Sequence, residues 1–300
     1  MASQKPSYFV AKISLELADK LRSDLIEQGF EISVPQYTVF SAQKKGVSCT
    51  LYTSGKLMVQ GKEKEEFISF YLEPEILQAL SYSYPETQVD MSAHIGIDES
   101  GKGDFFGPLC IAGVQASAEQ IKELLAIGVK DSKALKDSSI LTLSGKIRKI
   151  CPHVIVYISP KKYNELYANF RNLNSLLAWG HATAIADLAE KTQCKKVIID
   201  QFASEHLVIN ALKKKSLEVD LTQMHRAESD PVVAAASILA RAAFVDGIQK
   251  LSTQVAMELP KGASALVIKA GKKLVAIHGE GILETVAKLH FKTKDQILHD

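Results

Sequence analysis

The chain of 300 residues contains only four cysteines, and no two of them form a C-x-x-C pair. Scattered cysteines exclude a zinc knuckle and a disulfide scaffold, so we expect a protein of the reducing cytoplasm. No run of about eighteen uncharged apolar residues occurs, which argues against a transmembrane helix. The first residues lack an apolar h-region, so we expect no secretory signal.

The chain also has little excess of one sign of charge over the other, since its formal net charge is only +2. That value alone does not predict a nucleic-acid partner. The distribution is uneven: residues 1–64 hold nine Lys and Arg against six Asp and Glu, whereas residues 65–90 hold six acids and no base. The composition changes within LSYSYPETQVDMS (80–92), which we interpret as a linker. We therefore predict two domains, 1–88 and 89–300.

The N-terminal domain has the pattern of a small α+β unit. Leucines on one face of 15–28 predict an amphipathic helix that Gly29 ends. Short runs and turns in 39–60 predict strands, and 65–80 predicts a second helix with an acidic outer face. Three side chains on alternating strand positions form a candidate phosphate-facing surface: Thr50, Tyr52 and Lys56. The alternative is a solvated sheet face without a binding role, which would show the same pattern.

The second domain alternates strand and helix signals, which predicts the α/β class. Apolar runs bounded by Pro, Gly or Asp predict strands at 94–98, 108–116, 153–160 and 195–200. Helices are predicted at 174–191 and 232–251, and 252–300 reads as a Lys-rich amphipathic tail.

Two adjacent acids, Asp98 and Glu99, come at the end of the first of these strands. Like charges raise each other's pKa unless a cation intervenes, so the pair predicts a cation site. Because neighbouring side chains of a strand point to opposite faces, both acids can serve one site only where the strand ends. Gly101 and Gly103 allow close backbone approach to a ligand, and Lys102 between them can contact phosphate. The glycine spacing fits neither a dinucleotide-binding fingerprint nor a P-loop.

Two further acids could complete such a site. Asp200 ends the apolar strand VIID, at the edge where α/β sheets bind ligands, although turns also favour Asp there. Glu228 precedes the predicted helix at 232–251, where a capping role is the alternative. Carboxylate oxygens suit Mg²⁺ or Mn²⁺, and two such ions can cleave a phosphodiester.

Five segments in order closely resemble the bacterial ribonuclease HIII family of type 2 ribonucleases H. They are IGIDESGKGDFFGPL (95–109), VKDSKAL (129–135), NLNSLLAWGHA (172–182), IDQFA (199–203) and AESDPVVAAASILAR (227–241). The resemblance implies a ribonuclease H-like mixed sheet flanked by helices. The segment GVSCTLYTSGKLMVQGK (46–62) is similar to the family's extra N-terminal domain, which resembles the TATA-box-binding protein fold and helps to hold the hybrid.

By motif, the resemblance assigns roles to individual residues. Asp98, Glu99, Asp200 and Glu228 would be the divalent-metal ligands, with Asp246 as a weaker competitor for the fourth place. The substrate contacts would come from Ser100, Gly101, Lys102 and Gly103 at the ribonucleotide 2′-OH, from Asp131, Ser132 and Lys133 in the substrate groove, and from Asn172 and Asn174 at a helix start. For the last five of these, a capping or turn role is an equal alternative.

The resemblance implies an endoribonuclease that cuts the RNA strand of RNA–DNA hybrids with Mg²⁺ or Mn²⁺, most simply two ions. Water would attack the phosphorus in line and leave 5′-phosphate and 3′-hydroxyl ends. Two alternatives stay open: ribonuclease HII-like incision at single ribonucleotides, against which Lys102 and the extra domain argue, and a non-catalytic hybrid-binding protein. No membrane or protein partner is indicated, so we expect a monomer.

Other conspicuous residues have simpler interpretations. His181 lies in an apolar helix and is interpreted as a core or groove histidine, and His225 is not assigned a role. Trp179, Phe105 and Phe106 are predicted in the core rather than as base-stacking platforms. Lys213–Lys215 is predicted to be a solvated helix face.

Overall fold

The computed structural model describes residues 8–77, 89–129, 135–202, 205–224 and 227–299. The chain divides into two compact units, Met1–Val89 and Asp90–Asp300. Most of the predicted linker at 80–92 lies outside the described residues.

The first unit is a five-stranded antiparallel sheet in the order β1-β5-β4-β3-β2. Its strands are β1 (Tyr8–Lys12), β2 (Glu31–Ser33), β3 (Thr38–Lys44), β4 (Val47–Tyr52) and β5 (Lys56–Gln60). The strands predicted within 39–60 are confirmed, and the two edge strands β1 and β2 were not predicted. Both edge strands are short, with five and three residues, and none of their side chains is fully buried, so no strong alternation marks them.

Two helical segments pack on one face of this sheet. The predicted first helix is confirmed as a 3₁₀ turn followed by α1 (Ala18–Glu27), and α2 (Lys64–Phe67) continues as a π-helix over Ile68–Leu77. Inward-facing strand residues, such as Cys49 and Leu51, are fully buried with Leu21 and Leu25 of α1. The predicted acidic outer face of the second helix is wrong at Glu73, which is fully buried.

The second unit has a mixed five-stranded sheet in the order β10-β9-β6-β7-β8. Its strands are β6 (His94–Ser100), β7 (Leu109–Ala116), β8 (His153–Ile158), β9 (Lys196–Asp200) and β10 (Asp220–Met224). Strands β6, β9 and β10 are parallel to one another, and β7 is antiparallel to both β6 and β8. Together with the N-terminal unit, this confirms the predicted α/β class with a mixed sheet flanked by helices.

Nine helices of the second unit are described. They are α3 (Ala118–Ala126), α4 (Asp137–Ile150), α5 (Pro160–Phe170), α6 (Leu173–Thr192), α7 (Glu205–Lys213), α8 (Pro231–Gln254), α9 (Ala265–His278), α10 (Leu283–Val286) and α11 (Thr293–Leu298). The predicted helices at 174–191 and 232–251 are confirmed as α6 and α8. Helix α8 is long and apolar enough to cross a membrane, but 78% of its most apolar window is buried inside the protein. Its burial identifies it as a core helix.

The two faces of the second sheet carry different helices. Odd-numbered residues of β6, such as Ile95 and Ile97, share a core with α6. The even-numbered face packs on α8, where Gly96 leaves room for the helix backbone: a Cβ at residue 96 would lie 2.5 Å from the amide nitrogen of Val233. Alternation along β6 therefore decides which helix each of its side chains meets.

The C-terminal tail forms its own apolar cluster. Residues of α9, α10 and α11 bury Phe105 and Phe106, both fully inaccessible to solvent, together with Phe244 of α8. The prediction that these two phenylalanines are core residues is confirmed.

Candidate active site

The candidate site lies where the parallel strands β6 and β9 separate at their carboxyl ends. The last paired residues are Ile97 and Ile199, so Asp98 and Asp200 follow the ladder directly. A cleft of about 280 Å³ opens at this point. Its lining consists of Asp98, Glu99, Ser100, Gly101, Lys102, Gly103, Asp200, Glu228, Ser237 and Arg241. All four predicted ligand carboxylates thus line one cleft.

Asp98 and Glu99 reach this cleft from opposite faces of β6. The expectation that the strand ends at the acidic pair is wrong, because β6 continues to Ser100 and both acids pair with β7. Asp98, on the even face, accepts a hydrogen bond from Ser237 of α8. Glu99, on the odd face, accepts one from Nε2 of His181 on α6, at 2.9 Å. The loss of β9 pairing beyond Ile97, rather than the end of β6, opens the site.

The pKa values of Asp98 and Glu99 are shifted in opposite directions. Burial, together with the neighbouring charge of Glu99, raises the pKa of Asp98 to about 6. Burial would also raise the pKa of Glu99, but the hydrogen bond and charge of His181 and the charge of Lys102 outweigh it and lower that pKa to about 2. The site therefore holds one stabilised carboxylate beside another whose negative charge lacks full compensation.

His181, like Ser237 and Arg241 of α8, belongs to the site although the sequence did not predict it. Its side chain is fully buried, its ring lies 4.6 Å from that of Phe202, and its Nε2 is bound to Glu99. The other carboxylate oxygen of Glu99 accepts a hydrogen bond from Lys102 Nζ at 2.8 Å. A single histidine inside the apolar run LLAWGHATAI was the only available signal. His181 and Lys102 fix the orientation of Glu99.

The segment before α8 supplies the remaining side of the cleft. The backbone amide of Ala227 donates to Asp200 Oδ1 at 3.2 Å, and the 3₁₀ turn Ala227–Ser229 carries Glu228 into the lining. Asp230 then caps α8 by accepting from two backbone amides. The competitor Asp246 instead forms an exposed ion pair with Lys250 at 2.6 Å, and it does not line the cleft.

The glycine loop, formed by Gly101, Lys102 and Gly103, is held in a defined conformation beside the acids. Gly101 has φ +89°, and a Cβ there would collide with the carbonyl oxygen of Pro108. Around Gly103, in contrast, a Cβ would meet nothing within 4 Å. Buried Lys288, in the C-terminal segment AKLHFK (287–292), donates to the carbonyl of Gly107 at 2.6 Å, and burial lowers the pKa of this lysine to about 7. Gly101 is thus required by the backbone, whereas the backbone at Gly103 is sterically open.

The remaining predicted contact residues divide into two groups. Asp131, Ser132 and Lys133 lie outside the described residues, as does His225, which was assigned no role. Asn172 is the N-cap of α6 and accepts from the amides of Asn174, at 2.8 Å, and Ser175. Asn174 itself is exposed at the same helix start.

The donor set of the cleft fits a hard divalent cation. In the described ranges no three His, Cys, Asp or Glu side chains lie close enough together to hold one metal ion. This is compatible with Mg²⁺, which keeps several waters and takes only one or two carboxylates at a time. Four carboxylates around one cleft, one of them with a raised pKa, provide oxygen ligands and a negative charge for such a cation.

Comparison with known proteins finds similarity to ribonucleases over nearly the whole chain. The family model for ribonuclease HII matches residues 95–294, and a model described as a domain of unknown function matches residues 8–83. A ribonuclease HIII of Protochlamydia amoebophila is 57% identical over 99% of this chain and 98% of its own length. A ribonuclease HIII of Chlamydia trachomatis is 50% identical over 98% of each chain. Among solved structures, Bst-RNase HIII in complex with Mn²⁺ superposes with a TM-score of 0.69 at 30% identity, covering 97% of this chain and 98% of its own.

Proposed function

Because the chain belongs to the ribonuclease HIII family, we propose that it hydrolyses the RNA strand of RNA–DNA hybrids, with Asp98, Glu99, Asp200 and Glu228 as its divalent-metal ligands. One observation carries the assignment of these residues. Acids from three separate segments of the chain line the same cleft, at the carboxyl ends of adjacent parallel strands and beside the glycine loop. α/β sheets typically bind their ligands at this position.

The residues of this chain prepare the cleft for a phosphodiester. Ser237 orients Asp98, while His181 and Lys102 orient Glu99. Asp98, Glu99, Asp200 and Glu228 would hold the divalent cations, which would supply an activated water and charge stabilisation of the leaving oxygen. Mg²⁺ and Mn²⁺ both suit the oxygen donors, and the expected products carry 5′-phosphate and 3′-hydroxyl ends.

We propose that the glycine loop recognises the ribose of the RNA strand. The 2′-OH, which distinguishes RNA from DNA, is both a donor and an acceptor of hydrogen bonds. The open backbone at Gly103 allows close approach of that hydroxyl, and Ser100 and Lys102 lie beside it in the cleft lining. Asn174, exposed at the start of α6, is a further proposed contact, as are Asp131, Ser132 and Lys133.

The choice of substrate separates this proposal from ribonuclease HII-like activity. We expect a uniform RNA–DNA hybrid to be cut at least about tenfold faster than a DNA duplex with a single ribonucleotide, in Mg²⁺ or Mn²⁺. Gel mapping of labelled strands measures both rates. Faster incision of the single-ribonucleotide duplex would favour the ribonuclease HII-like alternative, and no turnover with either metal would favour a non-catalytic hybrid-binding protein.

We propose that the N-terminal unit binds the hybrid through the open face of its sheet. Helices cover the other face, while Tyr8, Val10 and Lys12 of β1 are exposed. Lys12 lies directly opposite Lys56 in the β1–β5 ladder, a like-charged pair that an anionic partner would stabilise. Thr50 and Tyr52 are half-buried on neighbouring β4.

Neutralising this lysine pair should therefore weaken substrate binding more than turnover. For the double variant Lys12→Gln/Lys56→Gln we expect KM for a hybrid to rise severalfold, with kcat within about twofold. The slope of log affinity against log salt should fall by roughly one to two, one phosphate contact per lysine. The control Lys20→Gln removes a lysine paired with Glu75 and should change neither value. Unchanged affinity, in this variant or after deletion of residues 1–89, would contradict the binding role.

We further propose a monomer in the cytoplasm. All four cysteines are free, and Cys49, Cys110 and Cys151 are buried, which agrees with a reducing compartment.

A further inference from the structure

A second groove of the catalytic unit lies between α6 and α7. Its volume is about 770 Å³, within the range of pockets that take organic ligands. Phe170 and Trp179 form its aromatic wall, and Lys213, Lys214 and Lys215 form its basic rim. We name this the α6–α7 groove. None of the residues assigned above to the catalytic cleft lines it.

The charge of the groove is of one sign. All three lysines are exposed at the end of α7, and no Asp or Glu is among the described residues of the lining. One cation would complement the carbonyls at a helix C-terminus, but three in succession exceed that need. Such a rim selects a polyanion, whose phosphates would be held by more than one lysine.

The aromatic wall adds a second kind of contact. Trp179 packs on the core with one part of its ring and is only partly buried, so the interpretation of this residue as core alone is incomplete. Its ring centroid lies 6.2 Å from that of Phe170, at an angle of 42°. Proteins commonly bind single-stranded nucleic acids with aromatic rings, on which unpaired bases stack, and with cations that contact the backbone. A partly exposed indole beside lysines provides both.

We propose that the α6–α7 groove binds an unpaired nucleic-acid strand outside the catalytic cleft. The two places lie on opposite sides of α6: His181 contacts Glu99, and Trp179, two residues earlier, is turned about 200° around the helix axis. A duplex offers no free base face to the indole, which favours a single strand. The inference takes the identity of the polymer from the proposed function, but binding can be measured without cleavage.

The chain contains one tryptophan, so fluorescence excited selectively at tryptophan reports on this groove and not on the nine tyrosines. We would titrate the full chain with oligo-dT and, separately, oligo-U in EDTA, which prevents hydrolysis. Saturable quenching is expected with at least one of them, and the tighter arm identifies the DNA or the RNA strand as the occupant.

The variant Lys213→Gln/Lys214→Gln/Lys215→Gln should weaken this binding at least about tenfold and lower the salt slope by about two, as expected for the loss of three single-strand contacts. A matched control, Lys269→Gln/Lys272→Gln/Lys273→Gln, removes three exposed lysines of α9 and should bind like the wild type. Absence of quenching with both oligonucleotides, or equal affinity of the two triple variants, would overturn the proposal. Because no metal is present, failure of hybrid cleavage would not imitate either result.

Discussion

Replacing Asp98 with Asn is expected to reduce hybrid cleavage on the order of 10³-fold while leaving hybrid affinity within about threefold. Asp98 emerges from the end of the β6–β9 pairing into the cleft, so its carboxylate is placed to bind a divalent cation. An amide is a far weaker ligand for Mg²⁺ than a carboxylate. Loss of the negative charge also removes repulsion toward phosphate, so binding should not suffer.

The loss of activity in Asp98→Asn should not reflect unfolding. Burial already raises the pKa of this carboxyl, so a neutral side chain of the same shape should be tolerated. Asp246→Asn is the matched control, since it removes an acid that pairs with Lys250 on the exposed side of α8. Single-turnover rates and filter-binding affinities measure both effects. Near-normal cleavage by Asp98→Asn, or an equal loss in Asp246→Asn, would contradict the assigned site.

The second large effect is expected from Gly96→Ala, which should destabilise the catalytic unit by about 3 kcal/mol. The added Cβ would lie 2.5 Å from backbone atoms of Val232 and Val233, at the first turn of α8. Relief requires β6 and α8 to move apart. That movement would displace both Asp98 and Ser237, so activity should fall together with stability.

Gly145→Ala is the control for the loss of a glycine. Its Cβ would meet nothing within 4 Å, and its site inside α4 should gain about 0.5–1 kcal/mol from the substitution. Urea unfolding followed by circular dichroism measures both changes. A Gly96→Ala protein as stable and active as the wild type would show that α8 does not depend on this close backbone contact.

The sequence predicted the acids of the site because their strands have strong patterns. HIGID and VIID are apolar runs that end in carboxylates, and parallel strands bring such ends together. The sequence could not show that β6 continues past the acids, because the opening comes from β9 ending its pairing with β6 at Ile97 and Ile199. Pairing between distant strands leaves no local signal.

His181 shows the other limit of sequence reasoning. Helix α6 is apolar on nearly all sides, so periodicity does not show which of its residues faces Glu99. The same holds for Glu73, where an acidic segment suggests an exposed helix face but tertiary packing buries the residue. Strand β10 was missed because its residues, DLTQM, are mostly polar and occupy a sheet edge.

A cleavage assay tests most directly the claim that this chain is a metal-dependent nuclease for RNA–DNA hybrids. A uniform hybrid with an end-labelled RNA strand is incubated with Mg²⁺ or Mn²⁺, and again in EDTA. We predict metal-dependent cuts in the RNA strand only, with 5′-phosphate and 3′-hydroxyl ends, because an external water is the nucleophile. Cleavage that persists in EDTA, or products with 2′,3′-cyclic phosphate ends, would contradict the account.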